Sequence, residues 1–564
     1  IEVMVERDMK PTSALNTLGE EKNKVYDVMN VSEARYEEMK EAFPDKVQKN
    51  YEVVAFLDDS TGIIDANKTW NLTVNGTNLT GKGQTSCVID SGVDYTHSAF
   101  GNCNPSFSET PVNYTLNSSI APDSTDEDTD FFYEYYDVTP GDVDGVSINF
   151  STINISDQGD RVAVVYENYV YDTFTSTQNN AISKAMPDDS NVQIQVRYNK
   201  SVTGNNTEFS IDQVINKTSD WSSCDDVEGG FNFQQGSLDP DDAETHGTHV
   251  ASTAVGNNSQ LSGVAPDSNL YVIRSLGVGG GTFVDIGLGI NECVKQADEH
   301  NISSIVMSLG TNTYTNNNFC DSDFSSAASQ IDKAVENNIT VAVATGNSDS
   351  TTGISSPACI TNSTRVAATD KQDNPYDFNN RGGFTDILLA PGVNINAAEP
   401  GESYGTKSGT SMATPHVAAL TNIVRQNTNL RSEPEYTRDE NIAVMNSTGK
   451  KIFDSGTNKN YTRVNAYNTI KEFNNAIDLE INLSKTTLIF NKDNQTVNYS
   501  ANAFAREVTE KNITVTNSDG EQVLFEDNIS KSTAILNTTV LNTTGTYTVN
   551  VSVKDNESNV ESEE

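Results

Sequence analysis

Positive charge is what this chain has least of for its size. Its 564 residues carry 36 Lys and Arg against 79 Asp and Glu, a formal net charge of -43. Phosphate contacts need clustered basic side chains, so a nucleic-acid partner is excluded. The acids are spread along the chain, and their self-repulsion destabilises a compact state in dilute buffer. Molar salt relieves it, because the Debye length falls to roughly 3 Å at 1 M. The composition therefore predicts a surface adapted to high salt or an extracellular protein rich in calcium, two readings that do not exclude each other. No run of about 18 apolar residues occurs, so no membrane-spanning helix is expected. The sequence opens on Ile1 with neither Met nor a signal segment, and the expectation is that a targeting sequence has been removed. Asn-X-Ser/Thr triplets are dense, for example at Asn71, Asn113, Asn154, Asn301, Asn446, Asn512 and Asn542, which fits a secreted glycoprotein. A monomer in an extracellular location is expected.

Histidine is also scarce: there are five, and three of them fall in two short motifs. One motif is Gly409-Thr410-Ser411-Met412-Ala413-Thr414-Pro415-His416. It sets a serine among small residues at a strand-to-helix junction, where a substrate backbone can approach the hydroxyl and free helix N–H groups meet developing negative charge. A buried small-residue turn would read the same way unless a base and an orienting acid accompany it. Both are present upstream. Ser86-Cys87-Val88-Ile89-Asp90-Ser91-Gly92 reads as a buried strand that delivers Asp90 to the carboxyl edge of a sheet. His246-Gly247-Thr248-His249-Val250-Ala251 opens a small-residue helix with His246 in its first turn. His246 and His249 could be taken for a metal pair, but no HExxH-type glutamate lies between them, so zinc is not expected.

The order Asp90, His246, Ser411, with these three motifs, resembles the subtilisin-like serine peptidases over residues from about 82 to 474. The resemblance implies an α/β fold with a parallel sheet covered by helices on both faces. It makes Ser411 the nucleophile, His246 the general base and then acid, and Asp90 the carboxylate that orients the imidazole. Val343-Ala344-Thr345-Gly346-Asn347 matches the segment whose asparagine amide joins the Ser411 backbone N–H in an oxyanion hole, with Thr410 assisting. Ser308-Leu309-Gly310 matches the strand that pairs with substrate, and Gly279-Gly280-Gly281 the strand opposite it, so a polypeptide substrate would bind as an added β-strand. Ser355 is placed at the specificity pocket. His97, His249 and His416 are expected to be structural. Thr245 and Ser252 stand where the family usually has glycine. No cofactor is required for the chemistry. The resemblance allows structural Ca2+, although the loop Gly256-Asn257-Asn258-Ser259-Gln260 is short for the family's strong site.

The flanking segments divide as follows. Residues 1–60 form a small α+β unit: alternating Ile1, Val3 and Val5, a helix capped by Ser32 with Tyr36, Met39 and Phe43 on one face, then alternating Tyr51, Val53, Ala55 and Leu57. This resembles the back part of the family's inhibitory propeptide, a partner of the active site within the same chain, with cleavage expected near residues 57–60. An ordinary N-terminal extension is the alternative. The peptidase part comprises residues 61–103 and 225–476. Residues 104–224 interrupt it with alternating segments at Phe131–Val138, 146–150, Arg161–Tyr166 and 192–196, punctuated by Pro140-Gly141 and Pro187-Asp188-Asp189. They read as a β-sandwich, which resembles CUB-like or jelly-roll modules in its strand spacing and in the segment around Gly159-Asp160. Residues 478–556 read as an immunoglobulin-like sandwich, and residues 557–564 as a fraying acidic tail.

Of six cysteines, Cys103 and Cys224 bracket the insertion and Cys320 and Cys359 bracket the Asn347 segment, so these are the expected disulfides. Cys87, in the buried strand, and Cys293, on a helix expected over residues 290–297, are read as unpaired small hydrophobes. The function expected is a secreted serine endopeptidase that matures from a precursor. The rival is an inert surface or adhesion protein on the same fold.

Overall fold

In the computed structural model the described residues are 58–117, 131–138, 143–155, 160–166, 169–187, 192–199, 207–311, 319–431 and 436–475, with separate strands in 2–49 and 477–563. Residues 1–56 and 57–564 are separate compact units. In the first, strand Glu2–Arg7 pairs antiparallel with Val25–Asn30 and with Val47–Lys49. The strand at Val25–Asn30 was not anticipated. The helix expected after Ser32 and the strand expected from Tyr51 lie outside the described residues.

The centre of the second unit is a nine-stranded sheet. Its strands are β1 (Thr85–Asp90), β2 (Val227–Asn232), β3 (Asn269–Arg274), β4 (Ile302–Met307), β5 (Thr340–Ala344), β6 (Thr364–Thr369), β7 (Leu388–Pro391), β8 (Lys450–Asp454) and β9 (Lys459–Arg463), in the spatial order β2-β3-β1-β4-β5-β6-β7-β9-β8. All neighbours are parallel except β8 and β9. Strands β1, β4, β5 and β6 are buried along their whole length, as parallel strands covered on both faces must be. Their alternation assigns the faces. Cys87, Ile89, Ile305 and Val343 join one core with α2 (Phe283–Lys295) and α3 (Ser325–Glu336), while Val88, Val306 and Ala342 join a second core with α1 (His246–Val255) and α4 (Thr410–Arg431). Ser86 and Ser304, on the second face, meet Asn422 of α4 in a fully buried network that also reaches Ser268, which fixes the long helix against the sheet.

Between β1 and β2 the chain forms two antiparallel sheets. One holds Phe131–Val138, Arg161–Tyr166, Tyr169–Phe174 and Val192–Asn199, the other Ser106–Asn117, Gly145–Asn154, Gln178–Ile182, Met186–Pro187 and Glu208–Asp220. Their inner faces share a core containing Phe150, Val162, Val164, Ile194, Phe209 and Ile211. This sandwich covers β2, the edge of the central sheet, where Tyr171 donates to Phe233 O at 3.1 Å and packs edge-on to its ring. Asp160 is buried and accepts from Thr207 Oγ1 at 2.6 Å. Gly159, Pro140-Gly141 and Asp188-Asp189 lie outside the described residues.

After α4 and the helix Ala466–Asn475 come two further antiparallel sheets, one of Ile477–Leu483, Gln495–Ala503 and Thr533–Leu536, the other of Val508–Asn517, Gln522–Glu526, Tyr547–Asp555 and Val560–Glu563. The last strand corrects the expected frayed tail: Val560–Glu563 pairs with residues 551–554, so backbone pairing outweighs the acidic composition there. Within the region read as an immunoglobulin-like sandwich, residues 487–490 and the segment Ser518-Asp519-Gly520 lie outside the described residues.

All six cysteines are paired. Cys103 joins Cys224 and Cys320 joins Cys359. The third bond, Cys87 to Cys293 with Cα atoms 6.1 Å apart, corrects the reading of these two as unpaired. Cys87 projects from β1 onto the face that α2 crosses, which brings two buried thiols within bonding range. Helix α2 itself starts earlier than expected, because Thr282 Oγ1 accepts from Asp285 N at 3.1 Å and caps it there.

Candidate active site

Asp90 is the last residue of β1 and His246 the first of α1. His246 Nδ1 lies 2.7 Å from Asp90 Oδ1, which also accepts from Ser91 N at 2.8 Å. The Asp90 side chain is 1% exposed and that of His246 30%, so the carboxylate is sheltered while the imidazole is partly open to solvent. Burial opposes protonation of His246, but the charge and hydrogen bond of Asp90 outweigh it and raise the imidazole pKa above its ordinary 6.5; Lys407 acts downward and Asp242 upward.

Ser411 is the second residue of α4, where its N–H has no carbonyl of the helix to bind. Its hydroxyl donates to Ser308 O at 3.1 Å, and Ser308 Oγ donates back to Ser411 O at 2.7 Å. The second bond follows from Pro415: four residues on, it lacks the N–H that would pair with the Ser411 carbonyl. The seryl hydroxyl is thus parked on the end of β4, not on His246.

Asn347 lies just past β5. Gly346, at φ 99°, turns the chain there, and a side chain at that position would meet Ser355 and Asn380. The amide orientation of Asn347 follows from its partner. Thr410 N, which can only donate, lies 2.8 Å from the side-chain oxygen, so Oδ1 is the tethered atom and Nδ2 is left as a donor. The Thr410 hydroxyl also donates to Oδ1 at 3.0 Å and accepts from Gly346 N at 3.2 Å. Its proton therefore orients Asn347.

A cavity of about 480 Å³ opens beside Ser411. Ser308, Leu309, Gly310, Gly280, Gly281, Ala344, Gly346, Asn347, Ser355, Thr410 and Ser411 all line it. Two expected residues do not: Thr345 is fully buried, and Gly279 sits in a tight turn closed by Gly277 and Gly280. Pro357, in the expected pocket loop with Ser355, lines it as well; Leu276, Phe283, Ile286, Thr311 and Ser348 do too and were not anticipated. Phe283 and Ile286 sit at i and i+3 on α2, a spacing that marks one helix face but not which cavity that face meets.

Three other histidines are structural in geometry. His97 Nδ1 accepts from Ala99 N at 3.0 Å, His249 Nε2 meets Ile395 O at 3.0 Å, and His416 Nδ1 meets Met412 O at 2.9 Å. Burial lowers the pKa of His249 and of His416 to about 4 each. The loop considered for calcium does not fit a strong site. It is a hairpin of Asn257–Asn258 and Leu261–Ser262 in which Asn258 Oδ1 is taken by Gln260 N and its amide by Ser98 and Tyr404. Among the described residues, no group of three His, Cys, Asp or Glu side chains could hold a metal ion.

Comparison with known proteins gives the family. The model of the subtilase family matches residues 81–465. Subtilisin BL of Lederbergia lenta is 33% identical over 42% of this chain and 82% of its own length. Subtilisin of Bacillus pumilus is 34% identical over 47% of this chain and 92% of its own. A solved structure of a cold adapted subtilisin-like serine proteinase aligns with 72% of this chain and 96% of its own at 21% identity, with a TM-score of 0.41. With the match running from just before β1 through β9, the chain belongs to the subtilase family and is a subtilisin-like serine endopeptidase.

Proposed function

We propose that this endopeptidase works through Ser411, His246 and Asp90. A peptide enters as a strand between residues 279–281 and 308–310. The Ser411 hydroxyl leaves the Ser308 carbonyl, gives its proton to His246 Nε2, and its oxygen attacks the scissile carbonyl carbon. Asn347 Nδ2 and the Ser411 N–H stabilise the oxyanion. His246 then passes the proton to the departing amine, leaving an acyl-enzyme on Ser411. Water, deprotonated by His246, breaks the ester, and the proton returns to Ser411. Asp90 holds Nδ1–H throughout, so that Nε2 is the basic nitrogen. The observation that carries this reading is the 2.7 Å contact of His246 with a buried Asp90, together with the tethering of Asn347 to Thr410 on the cavity that Ser411 also lines. An inert surface protein would have no use for that arrangement.

Residues 1–56 are assigned as an inhibitory propeptide. Asp58–Ile63 is helical and Ser60 is buried, which favours a processing cut ahead of Asp58 within the expected segment. Dense glycosylation motifs and three disulfides favour secretion, and the net charge of -43 favours a saline medium. Ser411→Ala tests the chemistry: it should abolish casein hydrolysis and leave the precursor uncut, whereas full activity in that variant would refute the assignment.

A further inference from the structure

Beside His246 lies an ion pair with a built geometry. The hairpin Ile395–Glu399 and Ser403–Lys407 packs on α1, where Ile395 O receives His249. Ser403, Gly405 and Lys407 share one face of the second strand. A side chain on Gly405 would collide with the Glu399 carboxyl, so the glycine is what lets Glu399 lie across the strand and reach Lys407 Nζ. The ammonium also donates to Thr245 Oγ1 at 2.9 Å. Thr245 is the N-cap residue of α1, yet its side chain does not cap the helix. The cap duty has passed to Ser91 Oγ, which receives Gly247 N, and to Asp242 Oδ2, which receives Thr248 N. The Thr245 hydroxyl, one residue before the base, is thereby available to hold a cation.

Resting on the assignment of His246 as base, we propose that Lys407 is a positioning residue for it: clamped by Thr245 and Glu399, its ammonium disfavours a second positive charge on the imidazole and widens the working range toward acid. The groups acting on His246 are Asp90 from β1, Asp242 from the loop before α1, Lys407 from the hairpin, and His249 one turn further along α1, which burial keeps neutral. Two of these favour the imidazolium, and Lys407 is the fixed charge that opposes it. The clamp side chains are each 24% exposed, so salt screens the effect but does not remove it.

The test is the pH profile of kcat/KM for an uncharged peptide anilide, each profile scaled to its own alkaline plateau. Lys407→Met should move the acid limb alkaline by roughly half a pH unit, about a threefold loss well below the midpoint, and Lys407→Arg should stay with the parent. Glu399→Gln, which removes the counter-charge, should move the limb the other way. Superimposed limbs for Lys407→Met and the parent, equal displacement of the Met and Arg variants, or a Glu399→Gln shift in the same direction as Lys407→Met would each overturn the proposal. A parent activity insensitive to Ser411→Ala would instead refute the triad assignment.

Discussion

Ser308 and Ser411 exchange hydrogen bonds: each hydroxyl donates to the other residue's carbonyl, at 2.7 Å from Ser308 and 3.1 Å from Ser411. The exchange ties the segment just past β4 to α4 at the position where Pro415 leaves a carbonyl without its helical donor. The Ser308 hydroxyl thus satisfies a backbone group that an alanine would strand. Ser308→Ala should cost about 1–3 kcal/mol of stability by chemical denaturation, the desolvation penalty of an unsatisfied buried acceptor. Adding Pro415→Ala restores an N–H four residues on and should recover part of the loss. Strict additivity of the two changes would contradict the account.

Disulfide mapping of unreduced peptides should find Cys87 joined to Cys293, in addition to the two bonds that bracket loops. This bond staples the strand that ends in Asp90 to the helix that carries Phe283 and Ile286 into the cavity. The double variant Cys87→Ala, Cys293→Ala should lose on the order of 2–4 kcal/mol. Recovery of two alkylated thiols from the unreduced, unfolded protein would show that the bond does not form.

What was legible in the sequence and what was not divide along one line. Asp90, His246, Asn347 and Ser411 lie in short motifs whose small neighbours are required locally, by a strand end or a helix start, so each could be read in place. The Cys87–Cys293 bond, the Ser308–Ser411 exchange and the lining residue Ile286 depend on which face of the sheet a later helix crosses. That information is spread over long stretches of chain. Cys87 alternates with Val88 across the two cores, and the pattern alone does not say which helix waits on its side. The strand Val25–Asn30 was missed for a related reason: Asp27 and Asn30 interrupt its apolar residues, and pairing with Glu2–Arg7 settles it.

Acid should weaken the fold before it titrates most carboxylates. His249 and His416 are fully buried with folded pKa values of about 4, below the ordinary 6.5. Above 6.5 both states are neutral and no stability depends on them. Between 6.5 and 4 only the unfolded chain takes the proton, so each residue costs about 1.4 kcal/mol per pH unit. His246 has the opposite sign, because its raised pKa adds stability below 6.5 that is lost as pH rises through the folded value. Stability should therefore fall from pH 6.5 to 5, and His249→Gln should reduce the slope. An unchanged slope would contradict the prediction.

Salt should stabilise. Acids outnumber basic groups by 79 - 36 = 43, so pairing cannot neutralise the negative charge. Surface pairs are worth roughly 0–1 kcal/mol each, so the repulsion that salt screens should outweigh the pairs it weakens. The unfolding midpoint and the activity should both rise from about 0.1 M NaCl to several molar. A flat or falling midpoint with calcium held constant would show that the charge is managed in another way.

The central claim is that His246 and Asp90 make Ser411 a nucleophile, and a fluorophosphonate reports on that directly. Intact-mass and peptide analysis of the folded protein should show one adduct, on Ser411, forming faster as pH rises through the His246 titration, and absent from Ser411→Ala. No adduct on the folded protein, or an adduct that persists in Ser411→Ala, would contradict it.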